Sequence, residues 1–446
     1  MFEYDTARLH EIAARGLEMA RRLGATDASV DISESSGLSV NVRKGSVETI
    51  EQTRDKGVGI TVYVGKRRGH ASTSDFADLA LSETVAAAFE IARYTGEDDC
   101  AGLPDADQLA TDLPELDLFH PWQISVEEAV DLACRMEGAA FATSPLIRNS
   151  EGASVSVTHG HFVAANSLGF AGGYPYSRHS IGCSPIAQRG QSMQRDDWYS
   201  SSLMPARLAD PVKVGRYAAE RALSRLGARQ VDTCKVPVLF EAPLACGLLG
   251  SFVQAVSGGS LYRRSSFLLD SLGKDVFAPH IDLVEDAHLP AEMGSSPFDS
   301  EGVRTGRRTV VSAGRLHGYF LSTYSARKLG MKTTGNAGGS HNLTLSSRLT
   351  RQLDDLPAML ERLGTGLFVT DLMGQGVNGV TGDYSRGASG FWVENGVIAY
   401  PVEEITIAGN LADMFKGIVA IGGDVIQRGG KRTGSILIDR MAVAGA

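Results

Sequence analysis

Apolar residues recur at helical spacing near the start of the chain, where Leu9, Ile12, Ala13, Leu17 and Ala20 share one face and Gly24 supplies a stop. This spacing predicts an amphipathic helix over 6–23. The period then changes to short β-type runs, "ASVDISES", "LSVNVRK", "SVETIEQTR" and "GVGITVYVG", in which Val40 and Val42, then Val47 and Ile50, alternate in part. Lys44-Gly45, Lys56-Gly57 and Gly65-Lys66 read as hairpin turns between these runs. A second helix is expected over 75–94, giving an antiparallel sheet with two helices.

The stretch 95–123 is acidic, carries prolines and reads as a linker. A helix is expected to start at Ser125, with Glu128 placed to complete a capping box. Residues 145–204 alternate as two or more long hairpins, and a helix near 210–227 leads to a boundary at "GARQVDTCKVP". The last third opens with the strand "KVPVLFE" and an apolar helix from Ala242 that runs into a Gly-Gly-Ser turn. Further on come the hairpin "RRTVVSAGRLHGYFLS", a helix near 352–363, the strand "GLFVTDLM" and a hairpin turning at Asn395-Gly396. The fold class expected is α+β: an N-terminal antiparallel sheet with two helices over 1–115, a hairpin-rich middle segment over 116–230, and a large mixed, mainly-β domain over 231–446.

Composition sharpens this picture only in places. Length suggests two to three domains, and the 51 glycines point to many turns. The net charge of −9 argues against a broad basic surface for nucleic acid. The N-terminus has neither a basic region nor an apolar core of the signal-peptide kind, and no window approaches the run of about 18 apolar residues that a membrane span needs. Five dispersed cysteines without a C-x-x-C pair suggest neither a disulfide framework nor a zinc knuckle. A cytoplasmic protein is the expectation.

Several short motifs invite chemistry. "GQGVNG" (Gly374, Gly376, Gly379) fits G-x-G-x-x-G after a strand, but "VTGDYSRGASG" follows it and reads as turn, whereas a dinucleotide site needs a helix N-terminus there. Ser325 with Lys328, and Ser271 with Lys274, fit S-x-x-K without the other elements of a serine acyl-enzyme site. His159 and His161 would share one strand face as a metal pair does, yet no third ligand stands nearby in the sequence. More informative are two glycine-crowded segments, "GNAGGSHNL" with His341 and Asn342, and "TGDYSRGASG" with Asp383, Tyr384 and Arg386. Glycines there admit a second backbone, and polar groups on such loops are candidates for binding. The helix from Ala242 carries Leu244, Leu248, Leu249, Phe252, Val253 and Val256 around most of its circumference, so it reads as buried. It lacks the two histidines and the carboxylate that a zinc peptidase places on one helical face.

The strings "SGGSLYRRSSFLLDSLGK", "SPFDSEGVRT", "STYSARKLG", "MGQGVNGVTGDYSRGASGFWVENG" and "YPVEEITIAGNL" make the chain resemble the TldD/PmbA family, once described as modulators of DNA gyrase, and in particular its PmbA (TldE) branch. The resemblance covers nearly the whole chain. TldD-type members carry an H-E-x-x-x-H helix and resemble zinc peptidases, and PmbA-type members look like metal-free paralogues that pair with them. The H-E-x-x-x-H window falls on 251–256, where Ser251 and Val256 stand for the histidines and Phe252 for the glutamate. The resemblance implies a heterodimer or higher complex with a TldD-like chain, zinc in that partner and no cofactor here, and unfolded or modified peptides as substrate. A homodimer is expected when the partner is absent. Neither membrane association nor direct nucleic-acid binding is expected. No catalytic residue or metal ligand carries over. Tyr262, Arg263, His341, Asn342, Asp383, Tyr384 and Arg386 are the candidate substrate-binding residues. The competing reading is a structural or regulatory partner, of the gyrase-modulator type, with no part in proteolysis.

Overall fold

The computed structural model describes residues 2–445. Helix Thr6–Arg22 begins where the Asp5 carboxylate accepts the Arg8 N–H at 2.7 Å, and its Leu9, Ile12 and Ala20 are fully buried. Strands Asp27–Arg43 and Ser46–Val64 turn at Lys44-Gly45, whose φ values of 52° and 72° are both positive, as a two-residue hairpin of matching twist requires. The buried Glu137 carboxylate closes that turn by accepting the Lys44 and Gly45 N–H groups at 3.0 and 2.8 Å. Lys56-Gly57 is not a turn. Ser46–Val64 runs straight through it, with Lys56 opposite Glu34 and Gly57 opposite Ser33, because the long partner strand sustains the ladder past the glycine.

One sheet spans the first half of the chain, in the order Arg67–Thr73, Ser46–Val64, Asp27–Arg43, Ile147–Asn166, Ala171–Arg189, Ser192–Arg195, with Trp198–Ser202 also paired to Ala171–Arg189. The segments before and after residue 115 therefore share a single antiparallel ladder. Helices Thr6–Arg22 and Asp78–Tyr94 pack on the Val30, Ile32, Ile60 and Val163 region. Helices Val126–Thr143 and Pro211–Ser224 pack on the Val40, Val42, Val155 and Ile181 region of the same face. The helix after Ser125 starts with the capping box expected of Ser125 and Glu128.

The acidic stretch 95–123 is not a free linker. It is an extended strap whose Leu103, Leu109, Leu116 and Leu118 are buried. The Ala110 N–H donates to Gly302 and the Ala291 N–H to Leu116, at 2.9 and 2.8 Å. Leucines spaced among acidic residues lack any regular period, so burial of the strap does not show as a pattern.

The C-terminal part contains two six-stranded sheets. The first runs Arg315–Leu316, Arg307–Ser312, Ile281–Asp286, Asn342–Ser347, Lys431–Thr433, Ile426–Arg428. The second runs Val397–Asn410, Asp383–Glu394, Gly366–Met373, Cys234–Phe240, Ile436–Ala444, Ile418–Ile421, and it closes on itself because Val397–Asn410 also pairs with Ile436–Ala444. Parallel pairs (Cys234–Phe240 with Gly366–Met373) among antiparallel ones make it mixed. Helix Ala242–Ala255 lies in the apolar core that both sheets share. The whole is the expected α+β arrangement. Among the described residues no helix is long and apolar enough to cross a membrane.

Candidate functional site

Helix Ala242–Ala255 starts with Pro243 in its first turn, where a missing N–H costs nothing. Apolar side chains cover most of its circumference, with Leu248, Leu249, Phe252 and Ala255 buried, while Gly247, Ser251 and Gln254 lie on its outer side. The Phe252 ring packs 4.8 Å from Phe277 and 5.9 Å from Phe415, and these two lie 4.8 Å from each other. Phe252 and Val256 are each 0% exposed. Cys246, the thiol on this helix, points its Sγ at the Lys431 carbonyl at 3.7 Å. A zinc ion needs three or four N, S or O donors converging on one point. This helix offers one thiol and an aromatic cluster, so its residues do not fit that ion. Among the described residues no group of three His, Cys, Asp or Glu side chains converges to hold a metal. Beyond Ala255 the chain does not form the open turn expected of Gly-Gly-Ser. Gly258–Tyr262 coil into a short helix, pressed so closely on Thr323–Lys328 that a Cβ on Gly258 would meet the Ser325 Oγ at 2.1 Å.

The seven candidate residues fall into two places. The Tyr262 ring stands 5.7 Å from Tyr324, and Arg263 donates to the Tyr262 hydroxyl at 3.0 Å. The chain after Arg263 meets the glycine loop, where the Phe267 N–H donates to Gly379 at 3.0 Å. This sets Tyr262 and Arg263 on the segment that adjoins the loop preceding Asp383, Tyr384 and Arg386. Asp383 accepts Thr381 Oγ1 at 2.6 Å and Asn410 Nδ2 at 3.3 Å, which are local loop contacts. Tyr384 and Arg386 share one face of strand Asp383–Glu394. Tyr384 is 3% exposed, and neither its hydroxyl nor the Arg386 Nε has a partner. Burial pushes the Tyr384 phenol up to about 12, with the neighbouring Arg386 guanidinium opposing. Arg386 reaches the Leu372 carbonyl at 3.3 Å and no carboxylate.

His341 and Asn342 lie elsewhere, on the first C-terminal sheet. The Asn342 amide oxygen accepts the Gly294 N–H at 2.9 Å, and its nitrogen donates to Asp286 O and Ser295 Oγ at 3.0 and 2.7 Å. The His341 N–H donates to Glu285 at 2.8 Å, and its Nε2 bonds the Gly335 carbonyl at 2.8 Å. These contacts clasp the loop to strand Ile281–Asp286.

The remaining motifs are spoken for by ordinary contacts. Ser325 Oγ bonds Ser322, while the Lys328 Nζ turns away to Asp98 at 2.9 Å. Ser271 Oγ donates to the Leu269 carbonyl at 3.3 Å. No helix follows "GQGVNG"; the strand Asp383–Glu394 does. His159 and His161 do share a strand face, buried at 9% and 3% exposure in the seam between the two helix pairs. There His159 Nε2 accepts the Trp122 N–H at 3.0 Å, and His161 faces Glu34 at 3.2 Å.

Two hollows fall outside the residues singled out from sequence. One of about 390 Å³ lies at the start of helix Ala242–Ala255. In it Arg221 bridges Asp196 and Glu241 at 3.0 and 2.6 Å, joining the middle segment to the C-terminal sheets. The other, about 940 Å³, lies on the open face of the N-terminal sheet and is lined by Asp31, Arg68 and His70. The signal for it was present in "ASVDISES", where Ser29 and Asp31 alternate with Val30 and Ile32.

Comparison with known proteins agrees over the whole length. Models of PmbA/TldA metallopeptidase domain 1, central domain and C-terminal domain match residues 28–92, 119–226 and 233–445. Metalloprotease PmbA of Escherichia coli O157:H7 is 48% identical over 438 residues, covering 98% of this chain and 96% of that one. The Metalloprotease PmbA homolog of Haemophilus influenzae is 46% identical over 437 residues, with 98% and 96% covered. A solved structure from Bacteroides thetaiotaomicron, named for a suggested modulation of DNA gyrase, superposes with a TM-score of 0.92 at 26% identity over 99% of this chain and 100% of its own. A shared fold, matched family models over most of the chain and near-half identity to two PmbA proteins lead to one conclusion: the chain belongs to the PmbA/TldD metallopeptidase family.

Proposed function

We propose that this chain is the metal-free PmbA/TldE-type subunit of a two-chain peptidase in the cytoplasm. A TldD-like paralogue supplies the zinc and the hydrolytic groups, and this chain completes the chamber for unfolded or modified peptides. The observation that carries the reading is the filled core around helix Ala242–Ala255. Phe252, Phe277 and Phe415 pack where the resemblance sets a catalytic helix, and no histidine stands on that helix. A helix of this kind keeps its place in the fold through burial alone, about 2–3 kcal/mol for each fully buried large apolar side chain. Of the loop residues, Arg386 is only partly buried and reaches no carboxylate, and we assign it to substrate contact with Tyr262, Arg263 and Asp383 on the adjoining loops, the buried Tyr384 lying beside it. An uncompensated guanidinium attracts a peptide carbonyl or carboxylate.

The test is the hydrolysis rate of an unstructured peptide by this chain alone, by a TldD-like partner alone and by the mixture, each with and without a chelator. Activity only in the mixture, abolished by the chelator, is the expected result. Chelator-sensitive hydrolysis by this chain alone would refute it. Full activity of the partner without this chain would favour a purely structural role.

A further inference from the structure

The hollow of about 390 Å³ lies beside the start of helix Ala242–Ala255, where Pro243, Leu244 and Gly247 form one wall. A second wall is the hairpin of Ile426–Arg428 and Lys431–Thr433, which turns at Gly429-Gly430. Arg428 and Lys431 are the cross-strand pair that closes this turn. Opposed residues in an antiparallel ladder share one face, with Cβ atoms about 5 Å apart. Two positive charges are therefore held side by side, a pairing that is destabilising on its own. Both side chains line the hollow, and both residues are half-buried.

The surrounding residues fix each cation in place. The Arg428 guanidinium carbon stands 4.6 Å from the centre of the Trp198 ring and 4.0 Å from that of Tyr199. Its Nη1 donates to the Tyr199 carbonyl at 3.4 Å. The Trp198 ring is itself held edge-on to Tyr217, with centroids 4.8 Å apart. A planar guanidinium braced in this way loses little freedom when its other N–H groups meet a ligand. Small residues on the helix make room for the lysine. A Cβ on Gly250 would stand 3.8 Å from the Lys431 Cε, and one on Gly247 would stand in open space.

The other charges of the hollow are matched within the protein. Arg221 answers Asp196 and Glu241 at 3.0 and 2.6 Å, and Arg225 answers Asp371 at 3.3 Å. Arg195 stands 3.7 Å from Asp197. Each carboxylate lining the space thus has an arginine. Among the described residues no carboxylate comes within 4.0 Å of Arg428 or Lys431. Both cations act on the same end of the helix: burial pushes the Cys246 thiol up, and Arg428 and Lys431 oppose it together. The space has room for a small organic ion.

We propose that Arg428 and Lys431 together bind one phosphate dianion, free or carried by a small phosphomonoester. A carboxylate brings a single charge to two cations. A phosphate brings close to two, on oxygens that the arginine fork and the ammonium can share. Pro243 and Leu244 give the ester group an apolar wall. The site lies wholly within this chain and does not rest on the peptidase reading.

Calorimetric titration of the full chain at pH 8, in a buffer without phosphate and with no other protein present, tests this. The probes are inorganic phosphate, phenyl phosphate and benzoate. Both phosphates are expected to bind, and the tighter of the two names the source as free ion or ester. Benzoate keeps the ring of phenyl phosphate with half the charge, and should bind about tenfold more weakly or not at all. Arg428→Gln and Lys431→Gln should each weaken phosphate binding by about tenfold or more. No binding of either phosphate, benzoate as tight as phenyl phosphate, or phosphate binding unchanged in both variants would overturn the proposal. The benzoate comparison uses the unaltered chain, so the outcome does not hang on the variants folding. Because no partner is present, failure here leaves the two-chain reading standing, and failure of that reading leaves this site testable.

Discussion

Phe252 has no exposed surface and is wedged against two other phenylalanines. Truncation to alanine removes that packing and leaves a cavity the surrounding sheets cannot close. Phe252→Ala is expected to cost about 3–5 kcal/mol, read as a shift of the urea unfolding midpoint. A loss below about 1 kcal/mol would mean that the aromatic cluster does not hold the helix. Asn342 presents a polar version of the same dependence. Its amide satisfies Gly294, Ser295 and Asp286 together, so Asn342→Ala strands buried partners and should cost about 1–3 kcal/mol in the same experiment. The polarity of His341 and Asn342, and the glycines around them, were plain in the sequence. Apart from Gly335, their partners were not, because those lie 47 to 56 positions away along the chain. A clasp and a binding group look identical until the other side of each hydrogen bond is known.

At the scale of elements, the strands of the first sheet carry a polar seam between two helix pairs. His159 and His179 face each other there with ring centroids 5.5 Å apart. Burial holds both below the ordinary imidazole value of 6.5. Protonating His159 would abolish the bond it accepts from Trp122, and protonating His179 would add an N–H at Nδ1, which is buried without a partner. The unfolded chain therefore takes up these protons first on acidification. The contribution is fully present above about pH 6.5 and is lost as pH falls below it, by up to about 1.4 kcal/mol per pH unit for each histidine. Asp299, raised to about 6 by burial, titrates in the opposite sense at lower pH, so the histidines must be isolated by difference. Urea unfolding of the wild-type chain and the His159→Gln/His179→Gln variant at pH 7.5 and 5.5 does this. The wild-type chain should lose more stability than the variant between the two, and parallel losses would remove the histidines from the pH response. Element boundaries show the same division between local and distant causes. The capping box at Ser125 and the turns at Lys44-Gly45 and Asn395-Gly396 follow from local chemistry and stand where the sequence sets them. Lys56-Gly57 has the same composition as a turn, yet a long paired strand on its flank carries it straight.

Across the whole molecule, one of the contacts that tie the middle segment to the C-terminal sheets is an ion network centred on Arg221. It joins Asp196 to Glu241 and donates to the Thr370 carbonyl at 3.3 Å, with Arg225 pairing Asp196 and Asp371 beside it. These groups are largely buried, so removing one partner leaves charge without compensation. Arg221→Ala is expected to cost about 3–5 kcal/mol in urea unfolding. It should also separate one transition into two if this network couples the halves. A single transition at unchanged midpoint would show that the strap and the sheet contacts suffice without it. The amino-acid sequence by itself determined the period of the first helix and of many strands, the cap at Ser125 and the turns at Lys44-Gly45 and Asn395-Gly396, the absence of a histidine pair on the apolar helix, and, through its long uncommon strings, the family. All of these rest on residues within a few positions of one another, or on chain identity read directly. Only the tertiary structure decided that the acidic strap is buried, that the seven loop residues divide between two places, and that Asp31 and Arg68 face one cavity. Each of those depends on which strands become neighbours, and pairing between residues far apart in the chain is set by the burial of whole faces rather than by any local pattern.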